Sequence, residues 1–304
     1  MLASARSFLL RTFGLLALAA APLIAVSTPL PDTPQFRRLG VEQGLPSSRI
    51  NALAQDRAGY LWIATDDGLA RYDGVGMRVW RHNPGIVGGM PDNLVNTLHV
   101  DQSDAVWLGF SSGGVGVIDE RRAEVRPIEA TEGGALADAD VWAMAETPDG
   151  SLWFGTYGQG LFQRQPGGGF VHIGEVPIGD GAAGRRDIVT MATDSEGTLW
   201  IGTGGGLARH VQGRLESVPS PEIDGQVVMH LNSESDGTLW IVTRTDLYRR
   251  SAEGRIERSP WSAALAGVRV HGVQRDSRGD RWLHTARGLY FDDGDGLRRF
   301  LSPE

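Results

Sequence analysis

Three histidines best combine the residue type and spacing needed for acid–base or metal chemistry in this sequence: His230, His271 and His284. They fall in two successive copies of a repeated pattern, so folding could bring them together. A lyase or lactonase needs a general base and usually a divalent metal held by histidines or carboxylates. No carboxylate recurs beside these histidines in a ligand-like pattern, and a single histidine in a strand is more often a structural residue. A lyase or hydrolase is therefore kept as an alternative function.

A second set of polar and aromatic side chains interrupts turns that are otherwise uniform from copy to copy. Variation at a fixed geometric position suits a binding rim, because the scaffold stays constant while the loop tips are free to change. The same variation is typical of unconstrained surface. The candidate ligand-binding residues are Arg49, Asp66, Asp67, Asn93, Asp140, Tyr157, Arg186, Arg244 and Arg287.

Composition excludes several other kinds of chemistry. Cysteine is absent, which removes disulfides, thiolate nucleophiles and cysteine-ligated zinc. The formal charge of -8 argues against a nucleic-acid partner, because a basic face would have to outweigh it. We therefore predict no catalytic residue, no metal and no cofactor. The expected partner is a small molecule, a glycan or a protein, and the oligomeric state is left open, a homodimer included.

The elements that must position these residues come from six repeats. Each copy has an alternating apolar run, a turn and a tryptophan, and the tryptophans lie 40 to 47 residues apart. This is the period of four-stranded propeller blades. The tryptophans are Trp62, Trp107, Trp153, Trp200, Trp240 and Trp282.

One unit shows why the repeats must stack. In the first copy an apolar run leads to Asp56, and Gly59 follows three residues on, which is typical of a type I turn. The tryptophan that opens the second strand is large enough to fill the space between two sheets. Every strand is short and no unit can bury a face alone, so the sequence predicts an all-β propeller of six recognised blades.

The number of units in the ring depends on a segment that precedes the first repeat. The segment "QFRRLG" resembles a fourth strand, and its core, Phe36–Leu39, precedes the first complete unit. The sixth unit already has a fourth strand in Leu297–Leu301, so the first segment lacks a blade to join. We expect a partial or truncated seven-bladed ring; closure as a six-bladed propeller is the competing interpretation.

The stretch "GLPSSRINALAQDRAGYLWIATDDGLARYDG", residues 44–74, resembles the repeat of the two-component regulator propeller family. Members of this family are exported sensor domains ahead of membrane-spanning histidine kinases and diguanylate cyclases. The resemblance implies a non-enzymatic sensor that binds its ligand on the funnel face, with the output module absent from this chain. Copies such as "TPDGSLW" are also similar to streptogramin lyases, which supports the enzymatic alternative. A protein-interaction platform is the third possibility.

The first 27 residues have the layout of a secretory signal peptide, with Arg6 and Arg11 ahead of an apolar run from Phe13 to Val26. Retention as an N-terminal anchor is the alternative. We therefore expect the propeller to span residues 28–304 and to lie in the periplasm or at the inner membrane. Membrane contact would come only through the N-terminal segment or a C-terminal helix that this chain lacks.

Overall fold

Each tryptophan-anchored repeat folds into one antiparallel sheet of four strands. A computed structural model describes residues 37–86, 88–118, 124–178 and 187–300; the predicted signal peptide and Arg186 lie outside them. The six blades are β1–β4 (Ile50–Gln55, Leu61–Thr65, Gly68–Tyr72, Met77–Trp80), β5–β8 (Val95–Val100, Val106–Phe110, Val115–Ile118, Arg126–Pro127), β9–β12 (Val141–Glu146, Leu152–Thr156, Leu161–Arg164, Phe170–Gly174), β13–β16 (Ile188–Thr193, Leu199–Thr203, Gly206–Val211, Arg214–Ser217), β17–β20 (Val228–Ser233, Leu239–Thr243, Leu247–Arg250, Ile256–Arg258) and β21–β24 (Val270–Arg275, Arg281–Thr285, Gly288–Asp292, Leu297–Phe300).

The structure is a six-bladed β-propeller, which confirms the all-β fold class. Strands within a blade are paired in chain order, and the first strand of each of the first five blades contacts the first strand of the blade that follows it in the chain. Helix is confined, in the described residues, to one α-helical turn at Ala130–Gly133 and two short 3-10 segments at Val41–Gln43 and Gly134–Asp138.

The turn between the first two strands is built as predicted. In the first blade the Gly59 amide donates to the Asp56 carbonyl at 3.0 Å. The Asp56 carboxylate then accepts the Tyr60 amide at 3.0 Å and the Trp62 indole N–H at 2.9 Å. The aspartate that opens the turn therefore also holds the tryptophan ring in place.

Tryptophan fills the space between neighbouring blades. The buried Trp62 ring of the first blade packs with Val95, Val106 and Leu108 of the second. The buried Trp200 ring of the fourth blade likewise packs with apolar residues of the fifth, among them Val228. Each sheet thus contributes one aromatic face to the next sheet, and no blade needs a core of its own.

Glycine in the second strand lets two blades approach closely. A Cβ on Gly202 would lie 2.6 Å from methyl carbons of Thr190 and of Val228, which belongs to the next blade. Gly109 and Gly155 occupy the same position and are equally crowded. The glycines of the "LGF", "FGT" and "IGT" segments are therefore packing residues.

The two ends of the blade series are less well covered than its middle. Ile50 and Leu53 of the first blade are 45% and 58% exposed, although Val95, the equivalent of Ile50 in the second blade, is buried. In the last blade Trp282 is only half-buried, unlike the five preceding tryptophans. The five internal contacts between blades are consequently tighter than the packing at either end.

The leading strand expected at Phe36–Leu39 is not found. Residues 37–40 are extended but belong to none of the six sheets, and Phe36 lies outside the described residues. The chain turns instead into the 3-10 segment Val41–Gln43, and Leu45 packs on Ile63 of the first blade. The prediction was wrong for residues 37–39, which pair with no strand of the described sheets because the chain leads instead into the turn that places Leu45 against the first blade. The seventh unit stays a prediction.

Substitution of Trp200 by alanine tests the contact between blades. The ring is buried and its N–H is bonded to Asp194, so we expect a loss of about 3 to 5 kcal/mol in the free energy of unfolding. Trp142→Ala is the matched control, because this ring is 44% exposed and should cost less than about 1 kcal/mol. Chemical denaturation measures both; equal losses would contradict the blade packing described above.

Substitution of Gly150 by alanine tests the backbone of the first turn. Its φ is +81° and no atom lies within 4 Å of the added Cβ, so the cost is backbone strain alone, about 1 kcal/mol. Gly167→Ala is the control, since that site is equally open and its φ is not positive. We expect the control to be neutral or slightly stabilising in thermal unfolding. Equal destabilisation by both would show that the turn conformation is not limiting.

Candidate functional site

Two sets of loops meet at one end of the propeller. The Tyr157 amide, after the second strand of the third blade, donates to the carbonyl of Asp140, which precedes the first strand. The distance is 2.8 Å, and the fourth blade repeats the bond from Gly204 to Asp187 at 3.1 Å. We call this end of the propeller, formed by the loops before each first strand and after each second strand, the funnel face. It is where the sequence predicted the binding rim.

A β-bulge at the start of every first strand supplies one extra side chain per blade. In the first blade Ile50 pairs with Thr65 and Ala52 with Ala64, so the residue between them has no partner on the second strand. Such bulges redirect a side chain without disturbing the rest of the ladder. The six bulge residues are Asn51, Asn96, Trp142, Val189, Met229 and His271.

Two of the bulge residues connect neighbouring blades. Asn51 donates to the carbonyl of Val95 in the second blade at 3.0 Å, and Asn96 donates to the carbonyl of Val141 in the third at 3.2 Å. Each amide also reaches a carboxylate of the funnel face, namely Asp66 at 2.9 Å and Asp140 at 3.0 Å respectively. The funnel face of the first three blades is therefore joined by side-chain hydrogen bonds.

The predicted residues of the first blade form two ion pairs. Arg49, which is well exposed, lies 3.4 Å from the carboxylate of Asp66. Asp67 is paired with Arg81 at 3.1 Å and accepts a bond from the Asn93 side chain at 3.4 Å. The charges of these two carboxylates are balanced by arginines, so this part of the rim is internally satisfied.

The third blade presents an aromatic pair beside a carboxylate. The rings of Trp142 and Tyr157 lie 5.8 Å apart between centroids and are tilted by 30°. The Trp142 indole N–H donates to Oδ1 of Asp140 at 2.8 Å, and the Asn96 amide donates to the same oxygen. Trp142 and Tyr157 are 44% and 55% exposed, so both rings are open to solvent.

Asp140 differs electrostatically from the other carboxylates of the molecule. Burial, and to a smaller extent the charge of Asp92, raise its pKa, although the bonds from Trp142 and Asn96 act in the opposite direction. Asp101, Asp149 and the other described carboxylates with a resolved shift have lowered pKa values. The negative charge of a half-buried carboxylate beside a second carboxylate is poorly stabilised, so a positively charged partner would bind there favourably.

The remaining predicted residues lie elsewhere on the funnel face. Arg244 and Arg287 are exposed on the turns that follow the second strands of the fifth and sixth blades. Arg186 lies outside the described residues. The structure therefore places Arg49 next to Asp66, Asp67 next to Asn93, and Asp140 next to Tyr157. Among the described residues, no contact joins Arg244 or Arg287 to these groups.

Sequence reasoning singled out His271 but missed the other five bulge residues, Asn51, Asn96 and Trp142 among them. A signal was present: in the aligned copies the second position of the first strand changes from amide to indole to aliphatic to imidazole, while the residue before it is always isoleucine or valine. The bulge itself is a backbone feature that alternation of residue types does not predict.

The three histidines do approach one another at the contact between the last two blades. The ring centroids of His271 and His284 are 5.6 Å apart. The ring of His230 packs against Gly272, the residue that follows His271. Within the described part of the chain no group of three or more histidines and carboxylates is arranged to hold a metal. The cluster is therefore a set of neighbouring imidazoles without acidic ligands.

Two cavities lie away from the aromatic pair. One, of about 430 Å³, is lined by the outer strand of the first blade and the loop that follows it, including Trp80, His82 and Met90. The other, of about 400 Å³, is lined by the turns between first and second strands, including Glu146, Asp194 and Glu234. Glu234 is fully engaged there by the Trp240 indole and by Arg281. We therefore regard the funnel face as the better candidate site.

Comparison with known proteins agrees with the geometry. Three segments, residues 44–67, 135–158 and 184–205, match the family described as Two component regulator propeller. These three segments carry two component regulator propeller repeats. Each matched segment contains funnel-face residues of one blade, and the first includes Asp66 and the third ends in the turn after Thr203. A comparison with curated proteins gives no match.

Solved structures show the same fold at low sequence identity. The extracellular domains of two putative hybrid two component systems from B. thetaiotaomicron superpose on this propeller with TM-scores of 0.71 and 0.67 at 20% and 22% identity. The matches cover 88% of this chain but only 37% and 34% of those domains, so this chain spans about a third of their length. A catalytically inactive virginiamycin B lyase variant from Staphylococcus aureus, solved with Quinupristin, has a TM-score of 0.61 at 16% identity and covers 83% and 84% of the two chains.

Among the described residues, no helix is long and apolar enough to cross a bilayer.

The histidines of the propeller predict a pH dependence of stability. Burial lowers the pKa of His230, His210 and His271 below their ordinary value of about 6.5. The unfolded chain therefore takes up protons first, and the free energy of unfolding should be highest above pH 6.5 and fall as the pH drops from about 6.5 to 5. Carboxylates ordinarily titrate below this window.

Urea denaturation at a series of pH values measures this effect. His230→Gln should give a flatter dependence, because one of the groups with a lowered pKa is removed. A wild-type stability that is constant between pH 7.5 and 5 would contradict the prediction.

Proposed function

We propose that this chain is the ligand-binding propeller of a bacterial signalling protein and that it acts outside the cytoplasm. The family match and the fold shared with extracellular domains of hybrid two component systems support this proposal. Ligand binding would be non-enzymatic, and signal output would reside in another part of the system.

The observation that carries the proposal is the set of bulge residues on the funnel face. Six equivalent backbone positions hold six side chains that range from amide to indole to imidazole. A constant scaffold with variable side chains at one end is the arrangement that a recognition surface requires. The exposed rings of Trp142 and Tyr157 strengthen the case, because contiguous exposed aromatic surface commonly marks a binding site.

A ligand on this face could change the packing between blades. Asn96 donates both to Asp140 on the funnel face and to the Val141 carbonyl where the third blade begins. A ligand that engages Asp140 would compete for or reinforce this bond, and so alter the contact between the second and third blades. Such a change is the step we propose for signal transmission.

Ligand-induced stabilisation tests the proposed function. A panel of small molecules, including amino acids, neutral sugars and organic cations, would be screened by thermal unfolding of the chain. Binding to the native state raises the unfolding temperature, and the stabilisation grows with the logarithm of ligand concentration once that concentration exceeds Kd. We expect at least one compound to stabilise the wild type and to have no effect on the Trp142→Ala/Tyr157→Ala double variant.

Val75→Ala is the matched control, because Val75 is 90% exposed and lies on a turn that connects the third and fourth strands of the first blade. It should respond like the wild type. The proposal fails if no compound stabilises the protein, or if the double variant responds unchanged.

A lyase is the second candidate, and the clustered imidazoles of His230, His271 and His284 favour it. The match to the S. aureus lyase variant covers most of both chains, which is consistent with this alternative. Incubation of the wild type with Quinupristin, with and without a divalent metal, would detect turnover. Turnover by the wild type that is lost in His271→Ala would support the lyase function. If the wild type consumes no Quinupristin, the ligand-binding function is favoured.

A further inference from the structure

The two exposed aromatic side chains of the described residues form one continuous surface. The large apolar side chains exposed there include six aliphatic residues, scattered over the molecule, and only two aromatic ones, Trp142 and Tyr157. These two rings touch, with centroids 5.8 Å apart. Exposed aromatic rings side by side present two electron-rich faces to one ligand.

Asp140 adds negative charge at the edge of this surface. Its Oδ1 accepts the Trp142 indole N–H at 2.8 Å, and a carboxylate bonded to the N–H group increases the electron density of the ring. Oδ2 accepts no hydrogen bond from the described residues. One oxygen therefore holds the indole in place while the other remains available to a ligand.

The neighbouring carboxylates are balanced by arginines, whereas no such ion pair is found for Asp140 among the described residues. Asp66 is paired with Arg49 and Asp67 with Arg81, at 3.4 and 3.1 Å. The charged group that acts on Asp140 is instead a second carboxylate, Asp92, whose charge raises the Asp140 pKa. Among the described residues no arginine pairs with Asp140, so the aromatic pair lies beside a carboxylate whose charge is not balanced by an ion pair.

We infer that Trp142, Tyr157 and Asp140 form a site for the ammonium head group of a small organic cation. This inference rests on the proposed function and names its ligand class. The cation lies over the indole and phenol rings, and its positive charge faces Oδ2 of Asp140. Ring faces attract alkylated ammonium groups, tryptophan most strongly, and the attraction is greater where a carboxylate is close.

Choline and its neutral carbon isostere, 3,3-dimethylbutanol, test the inference, because they have nearly the same shape and differ in charge. Titration followed by tryptophan fluorescence or calorimetry gives both affinities. We expect choline to bind at least about tenfold more tightly than the isostere. Trp142→Ala and Asp140→Asn should each weaken choline about tenfold, and Trp142→Phe should weaken it less.

Unaltered thermal unfolding of the variants, without ligand, shows that a loss of affinity is not a loss of fold. Val75→Ala again serves as the control and should bind choline like the wild type. Equal affinity for choline and the isostere would overturn the inference, as would choline binding that Asp140→Asn leaves unchanged.

Methyl α-glucopyranoside separates this inference from the proposed function. If the neutral sugar binds in a Trp142-dependent manner and choline does not, the ligand class is wrong and the propeller still binds ligand at the funnel face. If choline, the sugar and every compound of the earlier panel fail to bind, both the inference and the proposed function are wrong.

Discussion

One hydrogen bond recurs in every blade, and the rest of the propeller depends on it: the tryptophan that opens the second strand donates its indole N–H to a side chain six residues earlier. The donor–acceptor pairs are Trp62–Asp56, Trp107–Asp101, Trp153–Thr147, Trp200–Asp194, Trp240–Glu234 and Trp282–Asp276, at 2.7 to 3.1 Å. The acceptor opens the turn between the first two strands, so the bond couples the turn to the ring that fills the gap between blades. A buried N–H without a partner would be costly, whereas a bonded one fixes the ring orientation. Phenylalanine could fill a similar volume, but it has no N–H group to donate, so its ring would not be tied to the turn.

Most of the fold was predictable because its determinants are local and repeated. The turn aspartate, the turn glycine and the tryptophan lie within seven residues of one another, as Asp56, Gly59 and Trp62 do. Copies of the pattern therefore identify strands, turns and the stacking of blades without long-range information. The segment at Phe36–Leu39 occurs once before the first unit and was misjudged, since a single short stretch of alternating residues does not say whether it pairs with a strand or covers a face.

The site was only partly predictable, for a geometric reason. Arg49, Asp66 and Tyr157 were recognised because they lie in turns, where variation is visible against a constant pattern. Trp142 was not, because it lies inside a strand whose alternation predicts a packing role. The bulge removes it from the ladder, and the neighbouring Asp140 and Tyr157 then determine its surroundings. Side chains that a backbone irregularity redirects are the ones that periodicity places on the wrong face.

The bulge has a consequence for how such proteins can diversify. Each blade contributes one bulge residue, and that residue takes part neither in the bond from tryptophan to turn nor in the close approach of the next blade at the second-strand glycine. Duplication or recombination of whole repeats would therefore bring one new bulge side chain to the funnel face with each blade, while the bond from tryptophan to turn stays in place. A lineage built from these repeats could explore new ligands by rearranging blades, long before any point mutation had to be tolerated in the core.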